Sequence, residues 1–252
     1  MTHLARAGGQ RRVVSLVPSI TETLLSWGVV PVGVTRFCDL ADLHRSQVAW
    51  NVSVVGGTKN PDVAAIAALE PDVVLMDREE NRLEDAEALR AAGLNVVATA
   101  VRSLDDVGEA LKVLAAEAGV AEAASHDHLA WAPVSRATPR LRVFVPIWRR
   151  PWMTISADTY GGSVLEAVGL TSVFADSSQR YPSVELAEVA QRGADAVLAP
   201  SEPYPFKERH RAELESVAPA EFVDGRDLFW WGSRSSDALV RLDALARRLR
   251  DR

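Results

Sequence analysis

Two short aromatic runs hold the residues of this chain best suited to chemistry. Ile147-Trp148-Arg149-Arg150-Pro151-Trp152 sets two indoles beside two guanidiniums, and Phe229-Trp230-Trp231-Gly232 puts three aromatics in succession. Neighbours in an extended segment point to opposite sides, so three adjacent rings cannot all face a core. Of the 16 aromatics, 12 lie at or beyond Phe144, and Tyr160, Tyr181, Tyr204 and Phe206 join the two runs in segments that read as loops or loop ends. Rings at strand ends and beside prolines line surface grooves and pockets. The chemistry such a set offers is stacking on a large, flat or ring-shaped ligand through Trp148, Trp152, Tyr160, Tyr181, Phe229, Trp230 and Trp231. Arg149 and Arg150 are placed to meet carboxylates or phosphate on it.

Catalytic signatures are missing by comparison. The sequence holds no GxGxxG, GxxxxGK[ST], HExxH or GxSxG. His126 and His128 stand two apart and would leave a helix in different directions, and His3, His44 and His210 are scattered, so no metal site is expected. Cys38 is the single cysteine, which excludes an internal disulfide. An enzyme on this chain would need an acid–base pair, drawn from Glu22, Asp77 or Glu79 against Arg149, Arg150 or Asp158. Ser19-Ile-Thr-Glu22 has the form of a capping box, though a helix start after a first strand also binds anions.

A third feature is an internal repeat. Asp62 to Glu79 (DVAAIAALEPDVVLMDRE) and Glu185 to Glu202 (ELAEVAQRGADAVLAPSE) align without a gap at an offset of 123 residues, with Ala64/Ala187, Ala67/Ala190, Asp72/Asp195, Val74/Val197, Leu75/Leu198 and Glu79/Glu202 identical. A chain of two similar halves has a seam, and seams are where ligands bind. Asp62 and Glu185 open the two copies. Asn60-Pro61-Asp62 and Ser183-Val184-Glu185 both read as helix starts. Alone, each acid complements a helix dipole; as a pair, they form matched contacts for a partner with basic sockets.

These features need a frame to hold them. At 252 residues, 48% hydrophobic and 25% charged, the chain can bury one large core or two ordinary ones. A net charge of −6 without a basic stripe argues against nucleic acid. No apolar run approaches the roughly 20 residues that span a bilayer. The start, MTHLARAGGQRR, leads into no hydrophobic signal core, so the chain reads as cytoplasmic or as one whose export signal has been removed. Valine-rich runs predict strands at 12–17, 31–35, 72–76 and 95–99, then at 141–147, 172–174, 194–199 and 221–223. Helical patterns alternate with them at 19–27, 61–69, 82–92, 161–168, 184–191, 206–216 and 235–250. An alanine-rich stretch from Ser103 to about Trp131 predicts a stiff helical connection that Pro133 and Pro139 end. The reading is an α/β fold: an N-terminal lobe at 1–102, a helical connection at 103–139 and a C-terminal lobe at 140–252, with mostly parallel sheets.

Several stretches together resemble the class III substrate-binding proteins of ABC importers, the helical-backbone group that carries cobalamin, haem or ferric siderophores. They are VVSLVPSITETLLSWG, VGVTRFCD, VGGTKNPD with ALEPDVVL, IWRRPWMT, RYPSV and SEPYPF, and they lean towards the cobalamin-binding branch. The resemblance implies two Rossmann-like lobes joined by a rigid helix, with the ligand in the cleft between them. It places Phe37 and Tyr181 at pocket aromatics and sets Asp227 with Phe229 and Trp230 in a ligand-contacting loop. It matches Asp62 and Glu185 to acids that dock on an ABC permease, one per lobe. Gly56 and Asp77 stand where cobalamin-type relatives present tryptophans. The implied protein is a monomeric, non-enzymatic binding protein with no resident cofactor, extracytoplasmic by family. A cytoplasmic carrier or sensor of the same fold, or a two-lobe enzyme acting on a phosphorylated substrate, remains as an alternative.

Overall fold

A computed structural model describes residues 11–38, 52–122 and 140–252. The described chain divides into two compact units. The first holds 11–38, 52–101 and 108–122, and the second holds 102–107 and 140–252.

In the first unit, β1 (Val13–Ser15), α1 (Pro18–Ser26), β2 (Gly33–Val34), β3 (Ser53–Val54), β4 (Gly56–Gly57) and β5 (Asn60–Pro61) are followed by α2 (Val63–Ala68), β6 (Val73–Asp77), α3 (Leu83–Ala91) and β7 (Val96–Thr99). Five strands form one parallel sheet in the order β3-β2-β1-β6-β7, and β4 pairs antiparallel with β5. Helix α4 (Leu104–Ala118) begins among residues of the second unit and continues in the first.

The second unit contains β8 (Leu141–Phe144), β9 (Trp148–Arg149), β10 (Trp152–Met153), α5 (Tyr160–Ala167), β11 (Leu170–Ser172), β12 (Ser183–Val184), α6 (Leu186–Gln191) and β13 (Ala196–Pro200). A 3-10 turn at Glu208–His210 then leads into α7 (Arg211–Leu214), β14 (Ala220–Val223), α8 (Gly225–Phe229) and α9 (Ser235–Arg250). Its parallel sheet runs β11-β8-β13-β14, with an antiparallel ribbon β12-β10-β9 beside it. The interior strands β6 and β13 are buried at every position, as apolar runs in a covered parallel sheet should be, with Asp77 at the end of β6 the one charged residue in them. Ile66 and Leu89 pack from α2 and α3 onto the first sheet, and Val189 and Leu214 pack from α6 and α7 onto the second. Each such side chain contributes about 1.5–3 kcal/mol by leaving water.

The repeat is structural as well as textual. Asp62 and Glu185 are the N-cap residues of six-residue helices α2 and α6, which lead into the central strands β6 and β13. Each repeat carries the same clamp. Arg12 N–H donates to Asp72 at 2.7 Å and Arg142 N–H to Asp195 at 2.7 Å. The guanidiniums of the same arginines reach the C-cap carbonyls of the two helices, Arg12 Nε to Leu69 O at 3.1 Å and Arg142 Nη2 to Arg192 O at 2.9 Å. Two strand starts and one helix end are thereby pinned by a single Arg–Asp pair in each lobe.

Several expectations need correction. Ser19 and Glu22 form no capping box: the N-cap of α1 is Val17, Pro18 opens the helix, and Ser19 lies within it. Proline at the first helical position fixes φ for the helix and wastes no donor, so it moves the start upstream of the hydroxyl. Asp62 itself caps α2, with Ala65 N–H on its Oδ1 at 2.9 Å, and Pro61 belongs to β5. Glu185 caps α6 by position only, without a side-chain bond. The long alanine-rich helix ends at Ala118. Gly119 takes φ +78°, and Val120 N–H closes on Ala115 O at 2.8 Å, a left-handed stop that only glycine adopts cheaply. Of its expected continuation to Trp131, residues 119–122 are not helical and 123–131 lie outside the described residues, as do Pro133, Pro139, His3, His44, His126 and His128. The helix expected at 206–216 is a 3-10 turn followed by the four residues of α7.

One mismatch in the repeat carries a consequence. Gly193 follows α6 at φ +66°, and its counterpart after α2 is Glu70 at φ +44°. A side chain in that left-handed region costs about 1 kcal/mol or more. Relief of a penalty of about 1–2 kcal/mol exceeds the roughly 0.5–1 kcal/mol of entropy that glycine adds to the unfolded chain, so Glu70→Gly should stabilise the protein by a net of about 0.5–1 kcal/mol. Urea unfolding midpoints measure it, and an unchanged or lower midpoint would count against strain at this site.

Candidate ligand-binding site

Parallel α/β sheets present their ligands at the carboxyl ends of the strands. In the second lobe four loops leave those ends: the β9–β10 ribbon after β8, residues 173–182 after β11, 201–207 after β13 and 224–234 after β14. Gly225 links two of them. Its N–H donates to Ser201 Oγ at 3.0 Å, and a Cβ added there would lie 2.4 Å from Glu202 O, so no other residue allows this approach.

A continuous set of rings runs from the core out to this edge. Phe144 meets Trp152 edge-on at 6.4 Å, and Trp152 stacks on Phe206 at 5.9 Å with 7° between planes. Phe206 touches Tyr204 at 4.7 Å, and Tyr204 meets Trp148 at 5.6 Å, again edge to face. Phe144, Trp152 and Phe206 are buried, at 0%, 9% and 4% exposure, and only the far end of the series opens out, with Trp148 at 47%. Aromatic pairs of these geometries add about 0.5–1.5 kcal/mol each beyond the area they bury. Trp152 is therefore a core residue that holds the platform. Trp148, expected beside it as an equal, is the ring offered to solvent.

Arg149 lies behind that platform. Its Nε donates to Glu213 Oε2 of α7 at 2.8 Å, and the carboxylate, with the Tyr204 hydroxyl, raises the guanidinium's already high pKa. An arginine so engaged braces the ribbon against α7. Arg150, at the tip of the ribbon, is exposed.

The remaining second-lobe candidates divide by burial. Tyr160 is 7% exposed, with its hydroxyl 3.0 Å from Ser235 Oγ, and burial pushes its pKa up to about 12 against the opposing hydrogen bond from Ser235. Trp231 is 4% exposed. The segment 229–231 is not extended throughout: Phe229 closes α8, Trp230 is its C-cap, and the turn carries Trp231 inward while Phe229 and Trp230 stay partly buried. Trp230 has Arg226 at 5.8 Å and Arg234 at 5.6 Å from its ring centre. Tyr181 is 39% exposed, with Arg180 at 5.6 Å from its ring.

Asp227 sits at 5% exposure inside an ion triad. Arg241 donates to both its oxygens at 2.7 Å, and Arg234 adds a third bond at 3.0 Å. Its carboxylate fastens α9 to the 224–234 loop, so its bonds go to the frame and it acts on Trp230 through Arg234.

In the first lobe the carboxyl edge is closed by polar groups. Asn81 joins three segments, accepting from Asp77 N–H at 2.9 Å and donating to Leu16 O at 3.2 Å and Thr58 O at 2.9 Å. Asp77 is 1% exposed; burial raises its pKa, while Thr99 Oγ1 at 2.7 Å and the Glu79 N–H at 2.9 Å pull it back. Cys38 is 5% exposed and held by Thr21 Oγ1 at 3.1 Å and Thr35 Oγ1 at 3.4 Å. Phe37 projects from this plug at 56% exposure, with Arg36 at 5.0 Å from its ring and Gly57 beneath it. Among the described residues no group of three or more His, Cys, Asp and Glu is placed to hold a metal. Asp62 and Glu185 are both exposed at their helix starts.

Tyr204 and Phe206, which the sequence marks as loop aromatics without a stacking role, complete the platform around Trp148, Arg149 and Trp152, together with His210 and Glu213. The SEPYPF stretch is the sequence signal for the first two. His210 is signalled by nothing but its place three residues after Lys207, where a helix's third residue can reach back to its cap.

The Asp227 triad gives a direct test. Asp227→Asn removes the nearer carboxylate from the largely buried Arg234, leaving it Asp224 Oδ2 at 4.0 Å, and takes the counter-charge from both bonds of Arg241, so it should cost about 1.5–3 kcal/mol. Chemical denaturation measures it, and a loss below about 0.5 kcal/mol would mean that the triad contributes little.

A family model for periplasmic binding proteins matches residues 13–217. The vitamin B12-binding protein of Salmonella paratyphi A is 26% identical over 194 residues, covering 74% of this chain and 71% of that one. Among solved structures, the periplasmic vitamin B12 binding protein BtuF of Vibrio cholerae superposes with a TM-score of 0.75 at 19% identity, over 96% of this chain and 99% of that one. The periplasmic heme-binding protein RhuT of Roseiflexus sp. RS-1, in apo form, gives 0.76 at 20% identity over the same shares. No helix among the described residues is long and apolar enough to cross a membrane. With the two parallel sheets, the family match over most of the chain settles where it stands: it belongs to the periplasmic binding protein family.

Proposed function

We propose that the chain binds a large, flat metal chelate, a cobalamin-like corrinoid, haem or a ferric siderophore, and delivers it to an ABC importer outside the cytoplasmic membrane. The observation that carries this is the ring series ending in Trp148. A half-exposed indole backed by Tyr204, Phe206 and Trp152 is already rigid, so a planar ligand stacking on it gives up little side-chain freedom. Tyr181 and Phe37 offer further exposed rings. The relatives that bind vitamin B12 and heme support a ligand of this size and shape.

An acid–base enzyme finds less support. Asp77 is 1% exposed, and Arg149 is committed to Glu213, which removes one acid and one base from the set such a reaction would draw on.

Titration of the protein with cyanocobalamin, haem and a ferric catecholate, followed by tryptophan quenching, tests the reading. At least one should bind with a micromolar Kd or better, and Trp148→Ala should weaken it at least tenfold, about 1.4 kcal/mol. Absence of binding to all three would overturn it. Asp62→Lys with Glu185→Lys should abolish uptake in cells while leaving that Kd within a factor of two; uptake that survives would favour a carrier without a permease.

A further inference from the structure

His210 is 4% exposed and fixes the loop that carries Tyr204 and Phe206. Its Nδ1 accepts the Lys207 backbone N–H at 3.0 Å, closing the 3-10 turn on itself, and Arg209 Nε stands 3.2 Å from Nε2. Its ring also touches the platform directly, 5.7 Å from Tyr204 and 5.6 Å from Phe206. Tyr204 is in turn the ring against which Trp148 rests.

A neutral imidazole has one acceptor nitrogen, and an imidazolium has none. Donors face His210 on both ring nitrogens, so protonation sets N–H against N–H whichever tautomer is present. The charged groups around it are Arg209 and Lys207 on its own turn, Arg149 on β9 and Glu213 on α7, three cations to one anion. Burial first, then Arg209 and Arg149, hold the imidazole's pKa below its ordinary value.

We propose that His210 is a positioning residue for the aromatic platform, and that its protonation releases the Tyr204–His210 loop and weakens ligand hold in acid. The proposal rests on the reading that Trp148 and Tyr204 face the ligand, and it assigns that site a dependence on pH. Loss of the Lys207 bond frees the turn, Tyr204 and Phe206 shift with it, and Trp148 loses its support. A binding protein built this way keeps its ligand near neutrality and yields it where protons accumulate.

The test uses wild type and His210→Asn, whose amide oxygen can accept from the Lys207 N–H and does not titrate in this range. Cyanocobalamin and haem are titrated at pH 7.5 and 4.5. In the absence of ligand, the Trp148 emission is followed over the same range as the difference between each protein and its Trp148→Phe counterpart. Wild type should lose at least fivefold in affinity and show a midpoint in Trp148 emission below pH 6.5, whereas His210→Asn should show neither. Equal pH responses in the two proteins, or a flat wild type, would overturn the proposal. The ligand-free arm decides it even if neither probe binds, an outcome that would instead count against the ligand reading. Thermal melts of both proteins at pH 7.5 establish that the variant folds; if it does not, His210→Gln takes its place.

Discussion

The stacking of Trp152 on Phe206 is the contact on which the second lobe's binding edge depends. Trp152 belongs to a two-residue strand and Phe206 to a loop, and neither element has enough backbone hydrogen bonds to stand alone. With planes 7° apart, the rings join ribbon to loop and root both in the core at Phe144. What lies above them inherits that order: Tyr204 on Phe206, Trp148 on Tyr204, and Arg149 held across to α7 by Glu213. The polar contacts at the edge are directional, and they can be so only because the apolar ones beneath fix where their elements sit.

The two lobes solve one folding problem with the same parts and finish it differently. In each, an arginine at the first strand meets an aspartate before the central strand and reaches the preceding helix's last carbonyl. That repeated clamp sets the parallel register, Val13 beside Val73 and Val143 beside Ala196. Beyond the carboxyl ends the similarity stops. The first lobe closes with Asn81, Asp77, Thr99 and the Thr21–Cys38–Thr35 group, whose bonds are nearly all internal. The second closes with aromatic rings that leave one face uncovered.

Much of this was legible in the sequence, for identifiable reasons. Buried parallel strands such as β6 and β13 read as valine-rich runs, and the repeat exposed the equivalence of Asp62 and Glu185. Terminal helix α9 runs over the expected 235–250, because its leucines recur at helical spacing. Among the two-residue strands, β2 falls in an expected valine run, but β3, β4, β5, β9, β10 and β12 were not legible, since a period needs more than one cycle to show. Trp152 and Trp148 have the same residue type four apart, and only the ribbon's pairing decides which one turns inward. Asp227 reads in the sequence as a loop acid, yet its role follows from Arg241, fourteen residues on in another helix. His210 is silent in the sequence, because a lone histidine announces nothing until its two nitrogens have neighbours.

Cys38 closes the polar plug of the first lobe, and it is also the chain's single thiol. With 5% of its surface exposed and two threonine hydroxyls around the sulfur, it is poorly placed to react with maleimides or oxidants. A cysteine introduced at any exposed position would then take a dye or spin label almost alone, without removal of the native one. The fold thus arrives ready for single-site spectroscopy, in which a label on an exposed residue reports its own surroundings against an otherwise silent background.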